Sequence, residues 1–351
     1  MTTTRGGGRR EALNINTTLL EGIKSQLRSI SNYRNGHAIN FDAINFEKFR
    51  PSQKARDMVA IDGSYTFLLN ISSMWLGVVR AGALRFSLKD NGYQLIDSIL
   101  VDRPIMISTW REVVRSQSER HQTIYKLCAD SSDAHRRMMN EFRYCIEGEV
   151  ILTASQRYRK CTIAIDGALV SYHSELDWMK DVVSACDRSE NILIGVSKDS
   201  QTHAFNNPRR DEEIFKGGNG MAFVRVPPFF EKNHKGTLYG SIYFAKFHRD
   251  APKWFRVDIG NFKEDPSFVM ENVAAYSNSG LCLGYPYPLL EAHRFAITVR
   301  QFKDVFEDMM FEVAQECGFS ASDILEGLTW YEGDRKSAYH EYIDKVSRDL
   351  R

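Results

Sequence analysis

The sequence lacks any apolar run of about 18 residues or more, so nothing in it is expected to span a membrane. The first ten residues contain no apolar h-region. They are polar, with Gly6-Gly7-Gly8 ahead of Arg9-Arg10. No secretory leader is expected there, and residues 1–10 read as a flexible tail. CxxC pairs are also missing. The six cysteines, Cys128, Cys145, Cys161, Cys186, Cys282 and Cys317, stand far apart. That spacing argues against a zinc site and for reduced, mostly buried thiols in a cytoplasmic protein. No GxxxxGK(S/T) loop occurs, so any ATP hydrolysis would have to come from a partner. An excess of one charge is absent too: 46 Lys and Arg face 45 Asp and Glu, for a net charge of +1. A nucleic-acid footprint would then have to be a local basic patch, because phosphate contacts need clustered cations rather than a high total. Internal repeats and low-complexity tracts are not found.

What is present describes a folded chain. Across 351 residues, 43% are hydrophobic and 26% charged, ample for a buried core. Leu13, Leu19, Leu20, Ile23, Leu27 and Ile30 recur at helical spacing, so residues 11–34 read as a helix that stops at Asn35-Gly36. From Met58 the period changes to that of strands. Met58-Val59-Ala60-Ile61 ends at Asp62-Gly63-Ser64, Trp75 to Phe86 forms a second run, and Tyr93 to Val101 a third after the turn Lys89-Asp90-Asn91-Gly92. Short connections make these three antiparallel neighbours. Helix follows from about Thr109 to Tyr158, broken at Ser131-Ser132-Asp133. A fourth strand, Cys161 to Ile165, ends at Asp166-Gly167. A helix over Glu175 to Asp187 leads to a fifth strand ending at Val196. The β-α-β-α-β alternation implies parallel strands at this point. Further antiparallel strands are expected at 222–226, 238–247 and 254–259, then helices over 289–314 and 336–350. The whole order is that of an α/β, RNase H-like mixed sheet flanked by helices, with an additional antiparallel β segment and C-terminal helices. The expected division is a tail (1–10), an N-terminal helical element (11–57) and the main domain (58–351).

In that topology the first and fourth strands are adjacent, so Asp62 and Asp166 would meet. An Asp-Gly after a strand is often only a turn. Two of them, in the two positions the topology makes neighbours, point to more. Paired carboxylates repel unless a cation lies between them, and Mg²⁺ or Mn²⁺ prefers such oxygen ligands. Phosphodiester cleavage uses these ions. A third acid is expected from the helix before the fourth strand, where Glu141, Glu147 and Glu149 are the candidates. Gly148 beside them would suit a close approach of helix to sheet, with a glutamate pointing inward. Late in the chain comes Gly284-Tyr285-Pro286-Tyr287-Pro288-Leu289-Leu290-Glu291-Ala292-His293-Arg294. Pro288 can open a helix, which places His293 on its second turn. A histidine there could bind a metal or move a proton, although it could equally be a surface or core histidine.

These motifs, in this order, resemble those of NurA nucleases. They are Val59-Ala60-Ile61-Asp62-Gly63-Ser64, a helix glutamate, Ile165-Asp166-Gly167, Ile194-Gly195-Val196-Ser197-Lys198, Phe255-Arg256-Val257-Asp258-Ile259 and the Tyr-Pro-Tyr-Pro…Glu-Ala-His block. The resemblance runs from about Met58 to Ile297. It implies an RNase H-like, Mn²⁺- or Mg²⁺-dependent enzyme that degrades DNA ends 5′ to 3′ and cuts single strands. It also implies a homodimer that works with a HerA-type hexameric ATPase, in repair or phage defence. Carried over by position, Asp62, Glu149, Asp166 and His293 would bind metal, and Tyr285 would act beside them. Lys198, Tyr287 and Arg294 would contact substrate, Lys198 as a point charge on the scissile phosphate. The competing reading is a catalytically inactive RNase H-like module that binds nucleic acid or a partner.

Overall fold

The computed structural model describes residues 19–32 and 44–320, except 72, 91, 174–175, 206–209, 212–214, 216–219 and 261–264. Residues 19–32 form helix α1, whose apolar stripe, Leu19, Leu20, Ile23, Leu27 and Ile30, faces solvent. The ends of the helix expected over 11–34 and the one expected over 336–350 lie outside the described residues. A short strand β1 (Glu47–Lys48) precedes the three long strands β2 (Met58–Ile71), β3 (Met74–Lys89) and β4 (Gly92–Ser108). Each long strand exceeds its expected length. β2 does not stop at Asp62-Gly63 but continues, paired with β3, to Ile71.

Helices α2 (Arg111–Arg115), α3 (Glu119–Cys128) and α4 (Ala134–Arg157) then cross to β5 (Thr162–Asp166). A break beyond the expected one falls at Ser118, whose hydroxyl caps α3 by accepting from the His121 N–H. After β5 come β6 (Val170–Ser171), α5 (Met179–Arg188) and β7 (Ile192–Ser197). The run 222–259 resolves into β8 (Ala222–Arg225), α6 (Pro228–Lys232), β9 (Thr237–Leu238), β10 (Ser241–Lys246) and β11 (Phe255–Ile259). The strand expected over 238–247 is interrupted at Gly240, where a Cβ would meet the Ile259 carbonyl oxygen at 2.2 Å. Three helices follow: α7 (Pro266–Ala275), α8 (Tyr287–Gln301) and α9 (Lys303–Glu316). The single helix expected over 289–314 is thus divided at Phe302.

One nine-stranded sheet carries the architecture, in the order β1-β8-β10-β11-β7-β5-β2-β3-β4. β5 pairs parallel with β2 on one side and with β7 on the other, and the remaining pairings are antiparallel. The strands β4-β3-β2-β5-β7 make up the RNase H-like core expected from the sequence. The additional antiparallel strands expected from the sequence extend the same sheet through the pairing of β7 with β11. Residues 47–48, at the end of the N-terminal element, add its far edge.

Both faces of the central strands are covered, which explains why Met58-Val59-Ala60-Ile61 is apolar without alternation. Val59 and Ile61 enter a core with Ile146 and Val150 of α4 and Val182 of α5. Met58 and Ala60 enter the opposite core with Val273 of α7 and Leu289 and Ala292 of α8. β5 divides likewise, Ile163 to the α4 face and Ala164 to the α8 face. Helix α4 is held close by Gly148, but the element it approaches is not the sheet. A Cβ there would lie 2.4 Å from Trp178 Cδ2. Gly148→Ala is therefore expected to destabilise by about 1–3 kcal/mol through overpacking, despite the gain of about 1 kcal/mol in helix propensity. A urea midpoint at or above that of the wild type would contradict this contact.

Candidate active site

The period of two along a strand decides where the acids point. Asp62 continues the Met58, Ala60 series and Asp166 the Ala164 series, so both project toward α8. The two strands are in register, Ile61 beside Ile165. β5 ends at Asp166 while β2 runs on, so Asp62 flanks the end of its shorter neighbour. Gly167 follows at φ +139°, a backbone that favours glycine, and its N–H donates to the Val196 carbonyl at 3.1 Å.

Helix α8 supplies the partner from above. Pro288 lies in its first turn, and His293 falls over β2. His293 Nδ1 donates to Asp62 Oδ2 at 2.8 Å, and the Gly63 N–H donates to Asp62 Oδ1 at 2.8 Å. Just before α8, the buried Tyr285 hydroxyl donates to Asp166 Oδ1 at 3.1 Å. Lys198, one residue beyond β7, places Nζ 2.6 Å from Asp166 Oδ2 and also lies over the Tyr285 ring. Candidate ligand atoms of Asp62, Asp166 and His293 lie within 4.8 Å of one another. Five of the residues expected at the site are therefore brought together: Asp62, Asp166, His293, Tyr285 and Lys198.

The other three are not. Glu149 is on α4, but its carboxylate binds Arg103 of β4 at 2.8 Å and Arg120 of α3 at 2.6 Å, away from the acids. Tyr287 stacks on Tyr93 with ring centroids 5.2 Å apart, as part of the packing under α8. Arg294 is exposed and pairs with Glu291 on its own helix at 3.0 Å. The glutamate that reaches the site from α4 is Glu147. Two residues turn a helix by about 200°, so Glu147 and Glu149 cannot face the same way. Glu147 comes from the opposite face of the sheet and reaches the acids over Gly63, where an added Cβ would lie 2.6 Å from Glu147 Oε1. Arg143, one turn earlier, hydrogen-bonds Glu147.

Electrostatics at this cluster favour a bound cation. Burial pushes Asp62 above the usual carboxylate range, and the nearby Asp166 charge adds to the rise, against the lowering bond from His293. Burial pushes Glu147 up to about 7, with Arg143 opposing and the charges of Asp62 and Asp166 reinforcing. Tyr285 is driven far above its ordinary value, first by burial and then by Asp166, so it stays a phenol and a donor. A metal ion bound beside a raised carboxylate relieves the rise. Two carboxylates and an imidazole, with a third carboxylate alongside, are a donor set suited to Mn²⁺ or Mg²⁺.

Asp62 and Glu147 thus bind a proton more tightly in the folded than in the unfolded chain. Their contribution to stability is present below the unfolded carboxylate value and is lost as pH rises through the raised one, about 7 for Glu147. Without metal, the melting temperature is expected to fall at this site between about pH 5 and 8. Glu147→Gln, which cannot ionise, should flatten that decline. A variant with the same slope as the wild type would contradict the assignment.

The acids open into a cleft of about 1160 Å³ whose lining also includes Arg143, Lys198, Arg256 and Arg300. Arg256 is buried and held by Asp258, whose Oδ2 also accepts from the Leu169 N–H at 2.9 Å. Among the described residues, no helix is long and apolar enough to cross a membrane.

The sequence matches no protein-family model and no curated protein. Solved structures do match. The NurA nuclease from Sulfolobus solfataricus aligns over 85% of this chain and 97% of its own, with 14% identity and a TM-score of 0.54. The catalytic domain of human endonuclease V aligns over 82% of this chain and 98% of its own, with 11% identity and a TM-score of 0.38. The chain has the fold of the first of these, and the likeness extends over nearly all of that protein.

Proposed function

We propose that this protein is a metal-dependent DNA nuclease of the NurA type. The observation that carries the reading is the convergence of Asp62, Asp166 and His293, distant in sequence, in a cleft that Lys198 and Arg300 also line. Asp62, Asp166 and His293 would hold the divalent ion, with Glu147 beside them in the place first given to Glu149. When bound, such an ion activates water and stabilises the leaving oxygen of a phosphodiester.

The chain's own groups do the rest. Tyr285 fixes the rotamer of Asp166 by donating to Oδ1 and is a positioning residue. The Gly63 N–H and His293 Nδ1 fix both oxygens of Asp62. Arg143 opposes protonation of Glu147 and keeps it available as a carboxylate near neutral pH. Lys198 neutralises Asp166 in this structure and would turn to a phosphate oxygen when DNA enters, as a mobile point charge. Arg300 would contact the backbone in the cleft, while Arg256 stays paired with Asp258.

The finer reading is a 5′ to 3′ exonuclease and single-strand endonuclease that acts as a homodimer with a HerA-type hexameric ATPase. It is tested by digesting end-labelled DNA with and without Mn²⁺, before and after adding such an ATPase. Metal-dependent products that change with the ATPase are expected. No cleavage with any divalent ion would overturn the enzyme reading. Mn²⁺ is also expected to raise the melting temperature of the wild type, since only the folded chain presents the site. An equal rise in an Asp62→Ala, Asp166→Ala double variant would contradict it.

A further inference from the structure

A second, smaller cavity of about 350 Å³ also borders Asp62 and Asp166, and its lining adds Glu147. It lies between α4 and the chain that follows β5. Its lining includes the apolar Ile61, Ile151 and Ile165 and the mutually packed rings of Tyr144 and Trp178, 4.7 Å between centroids. Asp62, Asp166 and Glu147 form the wall it shares with the metal-binding cluster. Tyr172, 67% exposed, stands at the junction and lines both this cavity and the DNA cleft.

The rim of the cavity is pinned. β6 pairs with β9 in a two-stranded sheet of its own, which places Tyr172 beside His234. The Tyr239 hydroxyl bonds Asp177, next to Trp178, and Tyr144 donates to the Val170 carbonyl at 3.4 Å. The Tyr144 bond ties Val170 to α4, and the Tyr239 bond ties Asp177 to the chain after β9.

The chemistry inside differs from that of the large cleft. Among the described residues that line the cavity, Arg143 is the one lysine or arginine, and it is engaged by Glu147; Asp62, Glu141, Glu147 and Asp166 also line it, so there is little here to attract a phosphate. An apolar lining with aromatic rings on it suits a neutral planar group. The volume is near the lower end for ligand pockets, about 300–1,000 Å³, and would admit one nucleoside but not a base pair.

We propose that this cavity receives the unpaired nucleobase of the nucleotide flanking the scissile phosphate, with Tyr172 as the stacking platform at its entrance. The inference rests on the nuclease reading and deepens it: the cleft holds the backbone and the cavity holds a base. A base can enter only when it is out of a duplex, which requires a single strand or a frayed end. Asn140 and His173 also line the cavity and carry groups that can hydrogen-bond a base edge.

The test uses single-stranded oligonucleotides that carry 2-aminopurine, or an abasic residue, beside one cleavable phosphodiester. In Ca²⁺, the wild type should quench 2-aminopurine fluorescence on binding. Tyr172→Ala should lose the quench at saturating protein, and Tyr172→Phe should keep it. In Mn²⁺ single-turnover cleavage, the abasic substrate should be slower by roughly tenfold or more for the wild type, the size of one lost base–aromatic stack. Tyr172→Ala should cut both substrates at equal rates, and Tyr172→Phe should retain the difference. Absence of quenching in the wild type, or a quench unchanged in Tyr172→Ala, overturns the base pocket. Quenching without any Mn²⁺-dependent cleavage leaves the pocket standing and overturns the nuclease reading instead.

Discussion

Asp62→Asn is expected to lower Mn²⁺-dependent DNA cleavage by about 10²–10³-fold or more, the scale seen when a group that stabilises transition-state charge is removed. The substitution keeps the shape of the side chain and its acceptor toward the Gly63 N–H; it removes the charge and puts an amide NH2 where Oδ2 meets His293 Nδ1. Asp62 is raised by burial and by Asp166, so the neutral side chain should not weaken the metal-free fold. DNA binding should persist, because it depends on the cations of the cleft rather than on the acids. Cleavage near the wild-type rate, measured at saturating Mn²⁺, would remove Asp62 from the chemistry. A loss accompanied by unfolding would instead make Asp62 structural.

The second large effect separates two glutamates a short step apart on α4. Glu147→Gln should reduce cleavage by about 10²-fold or more, since a buried carboxylate beside Asp62 and Asp166 is lost. Glu149→Gln should leave the rate within about threefold. Its half-exposed bonds to Arg103 and Arg120 join β4 and α3, and exposed pairs of this kind contribute only about 0–1 kcal/mol each to stability. Steady-state and single-turnover rates of the two variants, read beside their urea midpoints, decide the matter. The opposite ranking would restore Glu149 as the catalytic acid.

That contrast shows where the sequence stops being readable. The strand acids were legible because strand periodicity is fixed. Once Met58 and Ala60 share a face, Asp62 must join them, and the parallel pairing of β2 with β5 brings Asp166 alongside. The helix acid was less so, because helix rotation has to be settled by the surrounding apolar positions. Glu147 lies three, four and seven residues before Val150, Ile151 and Ala154, all buried, whereas Glu149 lies four before the exposed Thr153. That spacing was the available signal. Gly148 drew attention to the correct turn for the wrong reason, since its neighbour is Trp178; the glycine that admits the glutamate is Gly63, on the strand.

The C-terminal residues divide in the same way. His293 follows from the helix start at Pro288, and Tyr285 from its place on the loop before it. Tyr287 looks equivalent in the Tyr-Pro-Tyr-Pro block, yet it packs on Tyr93 and Phe86. Only the fold reveals which tyrosine has room beneath it. The extension of the sheet by β8, β10 and β11 was unreadable for another reason. Antiparallel pairing between β7 and β11 joins residues about 60 apart, and nothing local in either strand specifies its partner.

The account depends most on a divalent cation being held between the strand acids. Anomalous diffraction at the manganese edge, from crystals grown with Mn²⁺, tests this directly. A peak bonded to both Asp62 and Asp166, with His293 or Glu147 in reach, is the predicted result. A fully occupied peak elsewhere on the chain, or none at this cluster at saturating Mn²⁺, would contradict it.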